Sequence, residues 1–167
     1  MRFTYLIIFF FISFFSSKAQ NKYTEKEAIN TVLNTWHQAA GKADFETYFN
    51  ILSENAIFIG TDATENWTKK EFENYSKPHF DKGKAWNFKP IERNIFFSAD
   101  KKTAWFDELL DTQMKICRGS GVLIKVKNQW KIAHYVLSIS IPNELSSEVI
   151  QLKTSADDVL IEKLKQQ

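Results

Sequence analysis

The chain has 167 residues and is almost neutral, with 22 Lys and Arg against 20 Asp and Glu. Because no basic run interrupts this balance, the sequence gives no electrostatic reason to expect nucleic acid or an anionic membrane surface as a partner. Cys117 is the only cysteine, so the sequence excludes an internal disulfide, and an exported form has to rely on packing.

The N-terminus has the layout of a secretory signal peptide. Arg2 precedes an apolar run from Phe3 to about Phe15, and small residues with Ser17-Lys18-Ala19 follow as a cleavage site. The run is short for a membrane span, which needs about 20 apolar residues. The sequence therefore predicts a secreted or periplasmic protein cleaved near Ala19, with an uncleaved anchor as the alternative.

The remainder of the chain fits one domain with its own core. We predict a signal peptide at residues 1–19, a folded domain at 20–145 and an amphipathic C-terminal tail at 146–167. The tail contains two weakly amphipathic segments, around residues 148–153 and 157–165.

Three helices are predicted in the first half of the domain. Thr24 with Glu27, and Thr68 with Glu71, match the capping box, in which each side chain satisfies a free backbone N–H at a helix start. Apolar residues recur at helical spacing in the first helix at Ile29, Val32, Leu33, Trp36 and Ala40, and in the second, which begins near Asp44, at Phe45, Tyr48, Phe49 and Leu52. Pro78 is expected to limit the third helix.

The second half of the domain is predicted to form strands. From Ala85 onward, apolar strand-like runs are separated by turns such as 98–102 and 127–129, and residues 55–60 form a further short buried strand. Helices followed by strands favour the α+β class, with helices laid on a bent antiparallel sheet.

The expected strand register collects polar side chains in one concavity. A turn near Gln113 would place Glu108 opposite Arg118, and a three-residue turn at 127–129 would place Val122 opposite His134. The residues expected to share the inner face are Phe106, Glu108, Arg118, Ser120 and His134, whereas Asp107 and Cys117 are expected on the outer face. Gly119 and Gly121 fit a strand that bends sharply or is closely approached.

Two interpretations of this cluster stay open. In the first, Glu108 and Arg118 form a structural ion pair beside a hydrogen-bonded core histidine, because a buried arginine without a partner is very costly. In the second, the polar groups orient a ligand in a pocket with aromatic walls, and His134 is a general base tuned by Glu108 or Arg118. A one-residue slip in register would send half of the set to the outer face.

Four strings carry a resemblance to a known family: FIGTDATENWTKKEF, AWFDELLD, RGSGVLIKV and WKIAHYVLSISIPN. Together they resemble the SnoaL-like, or nuclear transport factor 2-like, superfamily over about residues 25–143. The resemblance implies a cone-shaped fold, in which three N-terminal helices pack on a strongly curved antiparallel sheet around a deep pocket. It also implies a possible homodimer through the outer sheet face. Catalytic members of the family use an acid–base pair in the pocket.

Three hypotheses for the function follow. The leading one is an exported domain that binds a small apolar or aromatic molecule. The second is an isomerase- or cyclase-type enzyme that uses Glu108, His134 and Arg118, and the third is a non-catalytic dimerising interaction module whose own side chains fill the pocket. No cofactor is predicted, and no metal, because His37, His79 and His134 lack ligand-like spacing.

The candidate site residues divide into two sets. The candidate catalytic residues are His134 and Glu108. The candidate ligand-binding residues are Trp36, Tyr48, Phe58, Asp62, Glu65, Trp67, Tyr75, Phe106, Arg118 and Ser120. For each aromatic residue in the second set, packing in the core is an equally good explanation.

Overall fold

The structure is a computed structural model that describes residues 24–166. Its elements are, in chain order, α1 Glu25–Gly41, α2 Phe45–Asn50, β1 Leu52–Ile59, β2 Asn66–Thr68, α3 Lys69–Asp81, β3 Lys89–Phe97, β4 Thr103–Thr112, β5 Lys115–Val126, β6 Gln129–Ile139, a 3₁₀ turn Asn143–Leu145 and α4 Ser146–Lys165. The predicted signal peptide lies outside the described residues. Within residues 24–166 no helix combines the length and the apolar character that a membrane crossing requires.

Both predicted capping boxes start a helix. At α1, Glu27 N–H donates to Thr24 Oγ1 at 3.2 Å, and Thr24 N–H donates back to Glu27 Oε2 at 2.7 Å. Thr68 and Glu71 repeat this exchange at α3. Contrary to expectation, α3 continues through Pro78 to Asp81, since a proline in the last turn removes only one N–H···O bond near the helix end.

The C-terminal tail forms one helix rather than two segments. Helix α4 runs unbroken for 20 residues. Lys153 and Asp157 join the two predicted segments through an ion pair of 2.9 Å at i,i+4 spacing. The described side chains of α4 are all at least partly exposed, so this helix lies on the surface of the domain.

The six strands form one curved sheet in the order β2-β1-β6-β5-β4-β3. The antiparallel expectation is wrong at one place, because β1 and β6 are parallel and the sheet is therefore mixed. The chain leaves β1 through β2 and α3 and returns through the β3–β4–β5 meander, and β6 thereby enters beside β1 in the same direction. Of the strand predicted at 85–90, residues 85–88 are irregular and only 89–90 belong to a strand, β3.

The β4–β5 hairpin is one residue tighter than predicted. Thr112 pairs with Lys115, so the turn has two residues, and Glu108 lies opposite Gly119 instead of Arg118. The inner face of β5 consequently carries odd-numbered residues, and Cys117 is fully buried there. The predicted face is thus wrong for Arg118 and Ser120, which lie on the outer face, and for Cys117.

The β5–β6 hairpin also has a two-residue turn. Lys127 and Asn128 have φ values of 48° and 64°, as a type I′ turn requires, and Val126 pairs with Gln129. A register shift between Val122 and Leu123 then restores the predicted Val122–His134 pair. That pair nevertheless belongs to the outer face, because Tyr135 and Leu137 are the buried neighbours of His134.

The core lies between α1, α2 and α3 and the inner face of the sheet. Trp36 is at its centre, with its ring centroid 5.0 Å from that of Tyr48 and 4.7 Å from that of Tyr135. Phe106 and Leu123 complete the floor from β4 and β5. The expected glycine role is confirmed, since a Cβ at Gly121 would collide with the carbonyl oxygen of His134 and the ring of Phe106.

Candidate functional site

Glu108 forms a buried charge cluster with Arg93, His37 and Tyr135, and this name is kept for these four residues. Glu108 is 1% exposed on the inner face of β4. Its Oε2 accepts from Arg93 Nε at 2.8 Å and from Arg93 Nη2 at 2.6 Å. Its Oε1 contacts His37 Nε2 at 2.8 Å and accepts from the Tyr135 hydroxyl at 3.3 Å. Both oxygens of the carboxylate are therefore engaged.

Arg93 is fixed on its other side by α1. Its Nη1 donates to Asn30 Oδ1 at 3.1 Å and to Asn34 Oδ1 at 2.9 Å. Residues 30, 34 and 37 lie one helical turn apart, so one face of α1 supplies both amides and the histidine. The Arg93 side chain is only 6% exposed, and one carboxylate and two amide oxygens accept hydrogen bonds from its guanidinium group.

The electrostatics of the cluster favour an ionised Glu108. Burial by itself raises the pKa of this carboxyl, but the His37 hydrogen bond and the charges of His37 and Arg93 outweigh it, and the net pKa is lowered from 4.5. Because Glu108 is ionised, the 2.8 Å contact assigns the hydrogen to His37 Nε2. Burial and the adjacent Glu108 raise the pKa of Tyr135 well above 10.0, which keeps its hydroxyl protonated as a donor.

Three residues of the charge cluster, Arg93, His37 and Tyr135, are absent from the candidate set. The sequence signal for Arg93 is off by one residue, because folding the β3–β4 hairpin about the predicted turn at 98–102 places Arg93 opposite Asp107, whereas the observed register pairs it with Glu108. His37 neighbours Trp36 on α1, but its partner lies 71 residues away. No local pattern in the sequence predicts that contact.

A second feature is an aromatic pocket of about 180 Å³ at the mouth of the cone, called the mouth pocket below. Its lining residues are Phe58, Gly60, Thr61, Glu65, Trp67, Phe72, Tyr75, Trp86, Phe88, Gln113, Met114 and Leu137. They come from β1, the β1–β2 loop, β2, α3, β6, the irregular segment 84–88 and the β4–β5 turn. None of the charge-cluster residues lines this pocket.

The rings of the mouth pocket lie nearly parallel. Trp67 stacks on Tyr75 at 4.5 Å and 26°, and it lies 10° from the plane of Phe72. Phe72 stacks in turn on Phe58 at 3.9 Å and 14°. This order follows from β2 leading directly into α3, which places Trp67 over the first two turns of the helix. Flat aromatic walls are suited to a flat apolar guest.

The rim of the mouth pocket is a short loop that holds Glu65 over Gly60. Gly60 N–H donates to the Glu65 carbonyl at 2.9 Å, and Glu65 Oε2 accepts from Asp62 N–H at 3.2 Å. A Cβ at Gly60 would collide with the Glu65 carboxylate, so the glycine is required for this arrangement. Asp62 turns its own carboxylate to Thr64 N–H at 2.8 Å, and its pKa is lowered by the Thr64 hydrogen bonds.

Apart from Glu108 in the charge cluster and Asp62 in the rim loop, the predicted site residues fall into three groups in the structure. Phe58, Glu65, Trp67 and Tyr75 line the mouth pocket. Trp36, Tyr48 and Phe106 are core residues that fill the cone, and burial raises the pKa of Tyr48 well above 10.0. Asp62 caps the exposed rim loop.

The third group lies on the outer face of the sheet. Arg118 is exposed, and Ser120 and His134 are half-buried. The prediction that these three residues share the concavity with Glu108 is wrong, because the one-residue difference in the β4–β5 turn reverses the faces of β5. The proposed ion pair between Glu108 and Arg118 is likewise replaced by the pair between Glu108 and Arg93.

Solved structures with the same fold are numerous, and three of them, described below, are 11–18% identical to this chain. A domain of unknown function with a cystatin-like fold from Nostoc punctiforme has a TM-score of 0.61 at 18% identity, covering 85% of this chain and 97% of its own. A candidate dehydratase of the nuclear transport factor 2-like family from Streptomyces avermitilis has a TM-score of 0.60 at 11% identity, covering 70% and 96%. A candidate ketosteroid isomerase from Shewanella frigidimarina has a TM-score of 0.55 at 18% identity, covering 66% and 94%.

The sequence itself carries the family assignment. The curated proteins compared with the chain include no significant match. The family described as the SnoaL-like domain matches residues 29–142, which span α1 to the end of the sheet and include both the charge cluster and the mouth pocket. Because this match spans more than half of the chain, the chain belongs to the SnoaL-like domain family, and its fold is similar to that of the nuclear transport factor 2-like structures.

Proposed function

We propose that the protein binds a small molecule with one aromatic ring and a hydrogen-bond donor or positive charge in the mouth pocket. The observation that carries this proposal is a space of about 180 Å³ lined by stacked aromatic rings, with a carboxylate at its rim. Of the described residues that line the space, Glu65 alone is charged. Ligand sites are commonly apolar pockets with a few polar groups that orient the guest.

The volume limits the size of the guest. Cavities that hold drug-sized ligands measure about 300–1,000 Å³, whereas an apolar cavity of about 150 Å³ accepts benzene. The mouth pocket, at about 180 Å³, falls close to the second value. A single ring with one short substituent therefore fits it, and a steroid-sized molecule does not.

The rim determines the polarity of the guest. Glu65 Oε2 already accepts from the backbone of Asp62, and Oε1 makes no hydrogen bond to any described residue. An ionised carboxylate can only accept, so the complementary group on the ligand is a donor or a cation. The exposed faces of Trp67 and Tyr75 would add a cation–π contribution of about 0.5–1 kcal/mol for a cation above them.

The test uses three probes of similar shape and different charge: benzylamine, benzyl alcohol and benzoate. Binding to the protein as its host produces it would be measured by isothermal titration calorimetry and by quenching of tryptophan fluorescence. We expect benzylamine to bind most tightly and benzoate most weakly. Glu65→Gln should remove this preference, whereas Glu46→Gln, an equal charge change at an exposed position on α2, should leave it intact.

Two results would contradict the proposal. The first is saturable binding of none of the probes. The second is a preference for benzylamine that survives in Glu65→Gln. Tyr75→Ala gives an independent check on location, because it removes a half-exposed ring of the pocket wall and should weaken all three probes together.

An acid–base enzyme is a second candidate, and the observation that favours it is the His37–Glu108 contact in the cone. Two structural neighbours are named as candidate dehydratase and candidate ketosteroid isomerase. We rank this function second because both oxygens of Glu108 are occupied and Glu108 does not line the mouth pocket. Turnover of a ring-bearing ketone that disappears in His37→Gln and persists in Glu65→Gln would reverse the ranking.

Export and homodimer formation stay predictions. The segment on which export depends lies outside the described residues. A dimer through the outer sheet face is supported by the exposed rings of Phe96 and Trp105, whose centroids lie 6.0 Å apart on that face, and by the exposed Ile116. Analytical ultracentrifugation of wild type and Trp105→Lys would test the dimer.

A further inference from the structure

A basic depression of about 490 Å³ lies on the opposite side of Phe88 from the mouth pocket. It is bounded by the C-terminal half of α1 and by residues 87–90. The lining residues are Asn34, His37, Gln38, Gly41, Lys42, Asn87, Phe88, Lys89 and Pro90. Two lysines, three amides and a histidine are thus present, with no acidic side chain among the described residues that line it.

The floor of the depression is backed by the charge cluster. Asn34 accepts from Arg93 through Oδ1 at 2.9 Å, so its Nδ2 is left as a donor. His37 is 4% exposed, and its Nε2 is committed to Glu108. The floor of the depression therefore presents the amide donor of Asn34 and the imidazole of His37. The carboxylate of Glu108 is enclosed behind them.

The two lysines differ in how far other groups neutralise them. Lys89 is the cross-strand neighbour of Asp111, and both line an adjoining groove with Lys84. Lys42 contributes to the lowered pKa of Asp44, although the largest causes there are the hydrogen bonds from Thr47. Neither lysine forms an ion pair with a described residue, and neither Asp44 nor Asp111 lines the depression.

We propose that this depression binds a small oxyanion, of which a phosphate group is the type. Donors approach from three directions: Lys42 from the end of α1, Lys89 and Asn87 from the start of β3, and Asn34 from the floor. A tetrahedral oxyanion accepts on several sides at once, and charge-assisted hydrogen bonds are the strongest that side chains make. This site is independent of the aromatic ligand and of Glu65.

Inorganic phosphate is the probe, titrated at constant ionic strength and followed by ¹H–¹⁵N NMR and calorimetry on the protein as its host produces it. We expect saturable shifts of the amides of Asn87, Phe88 and Lys89. Lys42→Met should weaken phosphate binding about tenfold, the loss expected for one charge-assisted hydrogen bond. Lys26→Met makes the same charge change in the first turn of α1, about 24 Å away along the helix, and should change binding less than twofold.

Asp111→Asn provides a test of opposite sign. It removes a carboxylate that competes for Lys89, and phosphate binding should become tighter. Circular dichroism of the three variants confirms that each is folded. Equal weakening by Lys42→Met and Lys26→Met would overturn the proposal in favour of long-range charge alone. Amide shifts that rise without saturation would overturn it as well.

Discussion

The charge cluster and the mouth pocket lie in the same cone but are built in opposite ways. In the charge cluster every strong acceptor has a donor: Glu108 has Arg93, His37 and Tyr135, and Arg93 has two amides of α1 in addition. In the mouth pocket, rings stack around an open space, and one oxygen of Glu65 has no partner among the described residues. A buried carboxylate therefore does not by itself mark a catalytic or binding site.

The reason is that desolvation and pairing act together. A buried carboxylate persists as an anion only if its lone pairs are satisfied, and satisfying them from the protein leaves nothing for a substrate. A carboxylate at the rim is solvated in the free protein and can exchange water for a ligand. We therefore propose that Glu108 serves stability and that Glu65 serves ligand recognition.

The largest loss of unfolding free energy is expected from Arg93→Met, in the charge cluster. It leaves the Glu108 carboxylate buried with its main cation missing, which should cost about 3–5 kcal/mol of unfolding free energy. Arg118→Met, on the outer face, should change the unfolding free energy by less than about 0.5 kcal/mol. Urea denaturation of both variants measures the difference. Similar small losses in both would show that the cluster does not stabilise the fold.

The next effect is a pH dependence of stability. The pKa of Glu108 is lowered in the folded protein from 4.5, so its contribution is present above about pH 4.5 and is lost as the pH falls through the lower folded value. Wild type should thus lose stability in this acid range more steeply than Glu108→Gln, which cannot titrate there. Urea midpoints between pH 6 and pH 3 measure both slopes. Parallel slopes would contradict the lowered pKa.

A smaller effect is expected at Gly119, which makes room for the cluster. A Cβ at this position would collide with the Tyr135 hydroxyl and touch Glu108 Cγ, so Gly119→Ala should cost about 1–3 kcal/mol of unfolding free energy through overpacking. Tyr135→Phe removes the colliding oxygen. The double variant should therefore be more stable than the sum of the two single losses predicts, and strict additivity would argue against the contact.

The smallest loss of unfolding free energy is expected in the mouth pocket, at Tyr75. Tyr75 is 47% exposed, and its one close stack is on Trp67. Tyr75→Ala should lower the unfolding free energy by only about 0.5–1.5 kcal/mol, the value of an aromatic pair, while weakening ligand binding. Thermal denaturation with and without benzylamine separates the two quantities. A loss as large as that of Arg93→Met would mean that the mouth pocket is structural too.

Local signals predicted most of the fold. The capping boxes at Thr24 and Thr68 and the helical spacing through Trp36 are confirmed, because each depends on residues within one or two turns. The aromatic members of the mouth pocket were also within reach, since β2 and α3 are adjacent in sequence. The parallel entry of β6 beside β1 was not, because it depends on non-local pairing.

The prediction of the site failed because the register of the β4–β5 hairpin was wrong by one residue. A two-residue turn at 113–114 in place of the expected turn near Gln113 moves Arg118 to the outer face and Cys117 to the core. Side chains along a strand alternate between its two faces. A register error of one residue therefore moves every side chain to the opposite face. Folding the β3–β4 hairpin about the turn predicted at 98–102 places Arg93 opposite Asp107, again one residue from its observed partner Glu108, whereas the His37 contact requires the packing of α1 across the sheet.

The most direct test of this account is a crystal structure of the protein with benzylamine. We predict that the ring occupies the mouth pocket between Trp67, Phe58 and Trp86, that the amine lies within hydrogen-bond distance of Glu65, and that Glu108 keeps its contacts with Arg93 and His37. A ring that instead opens the charge cluster and displaces Arg93 or His37 from Glu108 would contradict it, because recognition would then reside in the residues assigned to stability.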